Sequence, residues 1–312
     1  MADHLTTQDA TIGRAGPPAR PDTSGPTRAT KLESRNARIM LYFVLPCLIF
    51  MLGVFLYPIG NVIVQSLLTL DGSFTWAGYK DLISSKLFRK VLMTTFEISF
   101  MATIVTVFFA YPVAYHLAKQ TPRARAFYMV LVLLPFWTSI LVKSFAFTVV
   151  LGTDGVVNQL IRAAMGPDQG VKLLFNRIGV MIGLAHFFIP FMTFPILTSL
   201  LAISPDLPKA AQLMGSGWTR IFFRITLPLS MPGVIAGSLL TFILSLGFFV
   251  TPRLLGGRQD IMMANLVDLY TRETLNWTLA SAISVVLLVL SLILIFVLTR
   301  VPGGKQVFGG EH

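Results

Sequence analysis

PDLPKAAQLMGSGWTRIFFRITLPLSMP, residues 205–232, is a polar and basic connection between two long apolar runs. Ala210, Ala211 and Gly215 are small residues at the spacing of successive turns of a short helix. Gly215-Ser216-Gly217 then offers a turn, because glycine accepts backbone angles closed to other residues. From Trp218 to Ile225 the apolar positions Trp218, Ile221, Phe222 and Ile225 share one helical stripe. Leu227-Pro228 is expected to end that second helix, since proline has no N–H to continue the ladder. A helix with alanines on one face lets another protein approach its backbone closely. The stretch therefore reads as a docking element for a soluble partner.

The rest of the chain says where that element sits. Of 312 residues, 54% are hydrophobic and only 12% charged, with a mean hydropathy of +0.73. A soluble domain carries about twice that charged fraction. The apolar residues gather in runs long enough to cross a hydrocarbon core of about 30 Å. Spanning segments are expected over 39–65, 91–118, 127–151, 178–202, 231–252 and 279–299, giving an all-α polytopic membrane protein with six transmembrane helices. Internal prolines such as Pro112, Pro135, Pro190 and Pro195 are tolerated where neighbouring helices satisfy the freed carbonyls. Residues 1–38, rich in Pro, Gly, Ser, Thr and Arg, read as a disordered tail. Residues 39–300 are expected to form a six-helix transmembrane domain with a connecting loop over 203–230, and residues 301–312 a short tail.

Charge sets the orientation. The net charge of +11 is scattered over short loops rather than gathered on one face, which argues against nucleic-acid binding. Lys119, Arg123 and Arg125 follow segment two; Lys209, Arg220 and Arg224 lie in the 203–230 loop; Lys31, Arg35 and Arg38 precede segment one. Basic short loops mark the cytoplasmic side, so both termini and the 203–230 loop are expected there. The single cysteine, Cys47, excludes an intramolecular disulfide and any multi-cysteine metal site. No phosphate loop is present: Gly303-Gly304-Lys305 is followed by Gln306 and lacks the upstream glycine. The chain is thus expected to bind no cofactor, and any ATP-driven work belongs to a partner.

The loop resembles the cytoplasmic signature of type I ABC importer permeases, written EAA, three residues, G, nine residues, I, one residue, LP. Ala210, Ala211, Gly215, Ile225, Leu227 and Pro228 fall at its spacing, and Lys209 stands in place of the glutamate. Leu134-Pro135-Phe136-Trp137-Thr138-Ser139 with Leu141-Val142-Lys143, Asn276-Trp277 with Ala280 and Ala282, and Leu45-Pro46 with Tyr57-Pro58 are similar to spermidine/putrescine-type permeases of the PotB/PotH group. The resemblance covers about residues 40–300. It implies a MetI-like fold in a bacterial cytoplasmic membrane. It also implies an ATPase dimer docked on the loop and consuming ATP and Mg, a second permease subunit, an extracytoplasmic solute-binding protein, and polyamine cargo. Importers of this architecture for an opine, an amino-acid derivative or an organic anion are the alternative. An ion-coupled secondary transporter is expected to show inverted repeats and paired broken helices, which the sequence lacks.

Candidate pathway residues follow from charge and aromaticity. Glu97 in segment two is an intramembrane carboxylate suited to attracting a cation, or to a structural bond between helices. Trp137, Thr138 and Ser139 form a polar-aromatic cluster that could hold an ammonium group or simply pack helices. Phe248 and Phe249 are candidates for a hydrophobic gate, with ordinary packing the alternative. Lys143 is expected to snorkel outward, and His186 to be a hydrogen-bonded core residue.

Overall fold

The structure is a computed structural model that describes residues 28–68, 72–166 and 170–300. The chain divides into two compact units, 1–58 and 59–312. In the first, the described chain is most of helix α1 (Arg28–Leu67), which carries Pro46 and Pro58. That helix starts at Arg28, inside the tail expected to be disordered; Ala29, Lys31, Leu32, Glu33 and Arg35 are all good helix formers. Residues 1–27 and 301–312 of the expected tails lie outside the described residues.

In the second unit, α2 (Ala77–Ser84) precedes α3 (Lys86–Lys119), and α4 (Pro122–Trp137), α5 (Ile140–Val150) and α6 (Val156–Met165) follow. Then come α7 (Arg177–Leu201), α8 (Asp206–Leu213), α9 (Trp218–Ile221), a π turn (Phe222–Thr226), α10 (Leu227–Leu246), α11 (Val250–Leu255), α12 (Met263–Arg272) and α13 (Trp277–Arg300). Side chains start several of these helices. Ser85 Oγ accepts from the Phe88 N–H at 3.3 Å, Asn176 Oδ1 from Gly179 at 3.1 Å and Asn276 Oδ1 from Leu279 at 3.1 Å. Each satisfies a donor that the first turn leaves free.

The core is α3, α7 and α10 packed together. Phe188, Met192 and Ile196 of α7 are fully buried against Ile98, Ala102, Ala110 and Ala114 of α3. Helix α10 also approaches α7 closely. A Cβ on Gly233 would lie 2.4 Å from the Pro195 carbonyl oxygen, and one on Gly237 would lie 2.8 Å from Met192 Sδ. Small residues four apart are what allow two membrane helices to touch backbone to backbone. Buried hydroxyls join the elements as well. Ser245 Oγ donates to Ser99 Oγ at 3.0 Å, and Thr95 Oγ1 accepts from the Met263 N–H at 2.9 Å.

Five helical runs are long and apolar enough to cross a membrane: Val44–Leu67, Lys86–Lys119, Arg177–Leu201, Trp218–Leu246 and Trp277–Arg300. The sixth expected span differs from its reading as one helix over 127–151. Helices α4 and α5 meet at 87°. Pro135 has removed one ladder bond, Thr138 and Ser139 are extended, and Thr138 Oγ1 donates to the Pro135 carbonyl at 2.8 Å. A hydroxyl that takes a freed carbonyl competes with the helix and ends it.

The fifth span also differs. Leu227-Pro228 does not end the helix; the run continues from Trp218 to Leu246. The π turn explains this, because the Leu227 N–H bonds back to the Phe222 carbonyl, five residues earlier. That wider turn makes room for the proline ring, which a regular α-helix would not. At its C-terminal end the helix stops at Leu246 rather than Pro252. Gly247 follows, and the Phe249 carbonyl is taken by Asn265 Nδ2 at 3.0 Å.

Candidate functional site

Helix α8 is short, and its chemistry lies at its two ends. Asp206 sits in the first turn, where a negative charge suits the helix dipole. Lys209 Nζ reaches back to Asp206 at 3.7 Å, both groups being exposed. Ala210 and Ala211 lie in the last part of the helix, Ala210 exposed and Ala211 half-buried. Gly215 is not on a helical turn as its spacing suggests; it is the left-handed residue after the helix, with φ +79°. The Ser216 N–H bonds to the Ala211 carbonyl and the Gly215 N–H to the Gln212 carbonyl, each at 2.9 Å. This paired pattern is the Schellman stop, which glycine forms without a Cβ penalty.

The stop leaves Leu213 at 90% and Met214 at 86% exposure. Two apolar side chains are thus fully presented at the tip of a polar loop. Behind them the loop is anchored. Trp218 stacks on Phe222 at 6.0 Å, and Tyr115 of α3 meets Phe222 edge-on at 5.6 Å. Lys119 Nζ lies 4.1 Å from the Tyr115 ring centroid, and Ile221 and Thr226 are buried. Ile225 and Leu227 are half-buried in the turn that leads into α10, with Pro228 exposed beside them. The loop is thereby joined through ring contacts to α9, the π turn and the C-terminal end of α3.

The pathway candidates do not form one cluster. Glu97 is bound by Arg177, the first residue of α7, whose Nη1 donates to its carboxylate. The same guanidinium donates from Nε to Asp260 Oδ1 at 3.2 Å. Asp260 Oδ2 in turn accepts from the Gly257 N–H at 3.2 Å. Arg177 therefore joins α3, α7 and the loop before α12. This network was not legible beforehand, because Glu97 and Arg177 are 80 residues apart in sequence. Of the two readings of Glu97, the structure displays the bond between helices.

Trp137 ends α4 and is 72% exposed, with exposed Thr138 and Ser139 in the break after it. Phe248 packs on Phe187 at 4.8 Å and Phe188 at 5.3 Å, whereas Phe249 next to it is exposed. The aromatic cluster around Phe248 includes Phe136, 5.4 Å from Phe191, so Phe136 rather than Trp137 faces it. The i, i+4 pair Phe187 and Phe191 was the available signal for that cluster. Lys143 does not snorkel outward: its Nζ folds back to the Pro135 carbonyl at 2.7 Å and lies 4.7 Å from the Phe187 centroid. His186 meets Phe147 edge-on at 5.2 Å.

Residues 107–301 match the family described as binding-protein-dependent transport system inner membrane component. The chain is 34% identical to the spermidine/putrescine transport system permease protein PotB of Haemophilus influenzae, over 86% of this chain and 95% of that one. It is 29% identical to PotB of Escherichia coli, over 77% of this chain and 89% of that one. Among solved structures, a chain of the bacterial alginate ABC transporter, in complex with an alginate pentasaccharide-bound periplasmic protein, superposes with a TM-score of 0.66. That chain shares 17% identity, with 85% of this chain and 94% of that one covered, a likeness of fold.

Proposed function

The chain belongs to the family of binding-protein-dependent transport system inner membrane components, and from that premise we propose that it moves polyamines, spermidine or putrescine, into the cell. It is a multi-pass inner-membrane permease subunit of an ABC transporter. The single observation that carries the cargo is the similarity to PotB across most of both chains.

The partners follow from the loop. An ATPase dimer docks on Lys209, Ala210, Ala211 and Gly215, and the strain passes through Ile225, Leu227 and Pro228 into α10. The exposure of Leu213 and Met214 and the aromatic anchoring behind them support this reading. ATP and Mg are used by that dimer and not by this chain. A second permease subunit completes the path, a binding protein delivers cargo from outside, and both termini lie in the cytoplasm. ATP-driven closure of the dimer drags the loop and rocks the helices between inward-open and outward-open states. On the outer side, Arg177 and its two carboxylates brace α3 against α7. Trp137, Thr138, Ser139, Phe248 and Phe249 lie at the two helix breaks, where irregular backbone in a membrane is tolerated next to a cavity.

The test is uptake in cells lacking their own polyamine importers. Expression of this chain with the ATPase, second permease and binding protein encoded beside it is expected to restore accumulation of labelled putrescine or spermidine. Omission of this chain alone is expected to abolish it. Accumulation that is equal with and without this chain refutes the proposal.

A further inference from the structure

Three spans end at one level. They are the first at Leu67, α3 at its start, Lys86, and α13 at its start, Trp277. Thr278 Oγ1 donates to the Leu68 carbonyl at 3.0 Å, and the Ser66 and Tyr79 hydroxyls share a bond of 2.8 Å. This is the end of the bundle away from α8. Lys119, at the other end of α3, lies 5.4 Å from the Trp218 ring, and the 34 residues of α3 make a rod about 50 Å long.

Helix α2 lies between these span ends. Its inner face is buried, with Leu82 in one core with Met263 and Ile283. Its outer stripe of Trp76, Lys80 and Ile83 is exposed. Phe74 meets Trp76 edge-on at 5.9 Å, and Trp277 is exposed at the start of α13. Lys86, Arg89 and Lys90 are exposed on the first turns of α3, with exposed Met93 one turn deeper. Among the described residues, none of the cations Lys80, Lys86, Arg89 and Lys90 makes an ion pair. Two acids are near them in sequence: Asp81, which is exposed, and Glu97, which Arg177 already holds. Basic loops at the α8 end set the orientation of the chain. These cations are at the other end, where orientation gives no reason for them.

We propose that this patch is a docking surface for anionic phospholipid headgroups at the membrane face opposite α8. Aromatic rings at span ends mark the headgroup level, and cations at that level attract anionic lipid. One phospholipid molecule carries both chemistries that the patch presents. Its phosphate meets the cations, and its acyl chains run down past Trp76, Ile83 and Met93. An acidic soluble protein would match the charge and leave Met93, a turn further into the span, unmatched. The inference holds whatever solute the permease carries.

The experiment places the complex of this chain with its partner permease and ATPase in nanodiscs of phosphatidylcholine, with or without added phosphatidylglycerol. In the wild type, phosphatidylglycerol is expected to raise the thermal midpoint by several degrees. Native mass spectrometry is expected to find it retained several-fold over phosphatidylcholine. Neither effect is expected when Lys80→Gln, Lys86→Gln, Arg89→Gln and Lys90→Gln are combined. Lipid sites on the partner subunits are common to both complexes, so the difference belongs to these cations. Equal gains in wild type and variant overturn the inference. Glycerol phosphate in solution is expected to be inert; the same stabilisation by it in phosphatidylcholine discs would show a free-anion site and overturn the lipid reading. Loss of binding-protein-stimulated ATPase activity by the variant in phosphatidylcholine alone would make the patch a protein contact, and that too overturns it. If the combined variant does not assemble, Lys86→Gln with Lys90→Gln is expected to lose about half of the gain, since each cation near the surface contributes similarly; no loss there counts against the surface.

Discussion

Gly215 has φ +79°, and a Cβ built on it would meet no atom within 4 Å. Its requirement is therefore conformational and not spatial. An alanine there is strained by roughly 1–2 kcal/mol, whereas asparagine visits the left-handed region more readily. Gly215→Ala is expected to lower ATP-driven transport and co-purification of the ATPase, with Gly215→Asn closer to wild type. Equal loss in both variants would point to side-chain bulk at the interface instead. The Arg177 hub supports a second comparison. The Asp260 side chain is 11% exposed and that of Glu97 47%, so removal of the shared cation strands a buried charge at Asp260, whereas the unpaired Glu97 carboxylate is half-exposed. Arg177→Leu is expected to lower the thermal midpoint in detergent clearly more than Glu97→Gln. The reverse order would contradict the burial argument. At this scale the sequence displayed the groups but not their partners. Glu97 was visible as an acid within a span, yet Arg177 and Asp260 come from distant segments, and no local pattern links them.

Among the elements, α7 and α10 are in close contact. Gly233 and Gly237 face Pro195, Ser199 and Met192 with no room for a Cβ. Gly237→Leu is expected to destabilise the permease by about 1–3 kcal/mol or more through overpacking, seen as loss of the monodisperse peak in size-exclusion chromatography. A monodisperse, transport-competent Gly237→Leu would show that α10 can shift away from α7 at little cost. Helix existence was legible from the apolar runs, since length and composition suffice for a span. Helix continuity was not. At Thr138 a hydroxyl takes the Pro135 carbonyl and the span breaks; at Pro228 a π turn absorbs the proline and the span continues. Two prolines in apolar runs thus have opposite outcomes, decided by what the neighbouring backbone does. Pro228→Ala is expected to let the turn relax to α-helical and shift the register of α8 relative to α10, weakening coupling of ATP hydrolysis to uptake while leaving membrane insertion unchanged. Full coupling in that variant would mean that the π turn is incidental.

For the whole molecule, the loop over 205–232 carried most of what could be read. Its spacing pointed to the fold, and the fold and family follow that reading. The proposed pathway groups were less legible, because Trp137 to Ser139 and Phe248-Phe249 lie at two helix breaks that no local pattern links. The proposed coupling of a partner ATPase to amine cargo is tested most directly by reconstitution. Proteoliposomes would hold this chain with its partner permease and ATPase, with binding protein and labelled putrescine on the outside and ATP on the ATPase side. Accumulation is expected only when every component and ATP are present, and it is expected to persist when the membrane potential is collapsed. Uptake that ignores ATP and follows the membrane potential, or binding protein that stimulates the ATPase while neither putrescine nor spermidine enters, would contradict it.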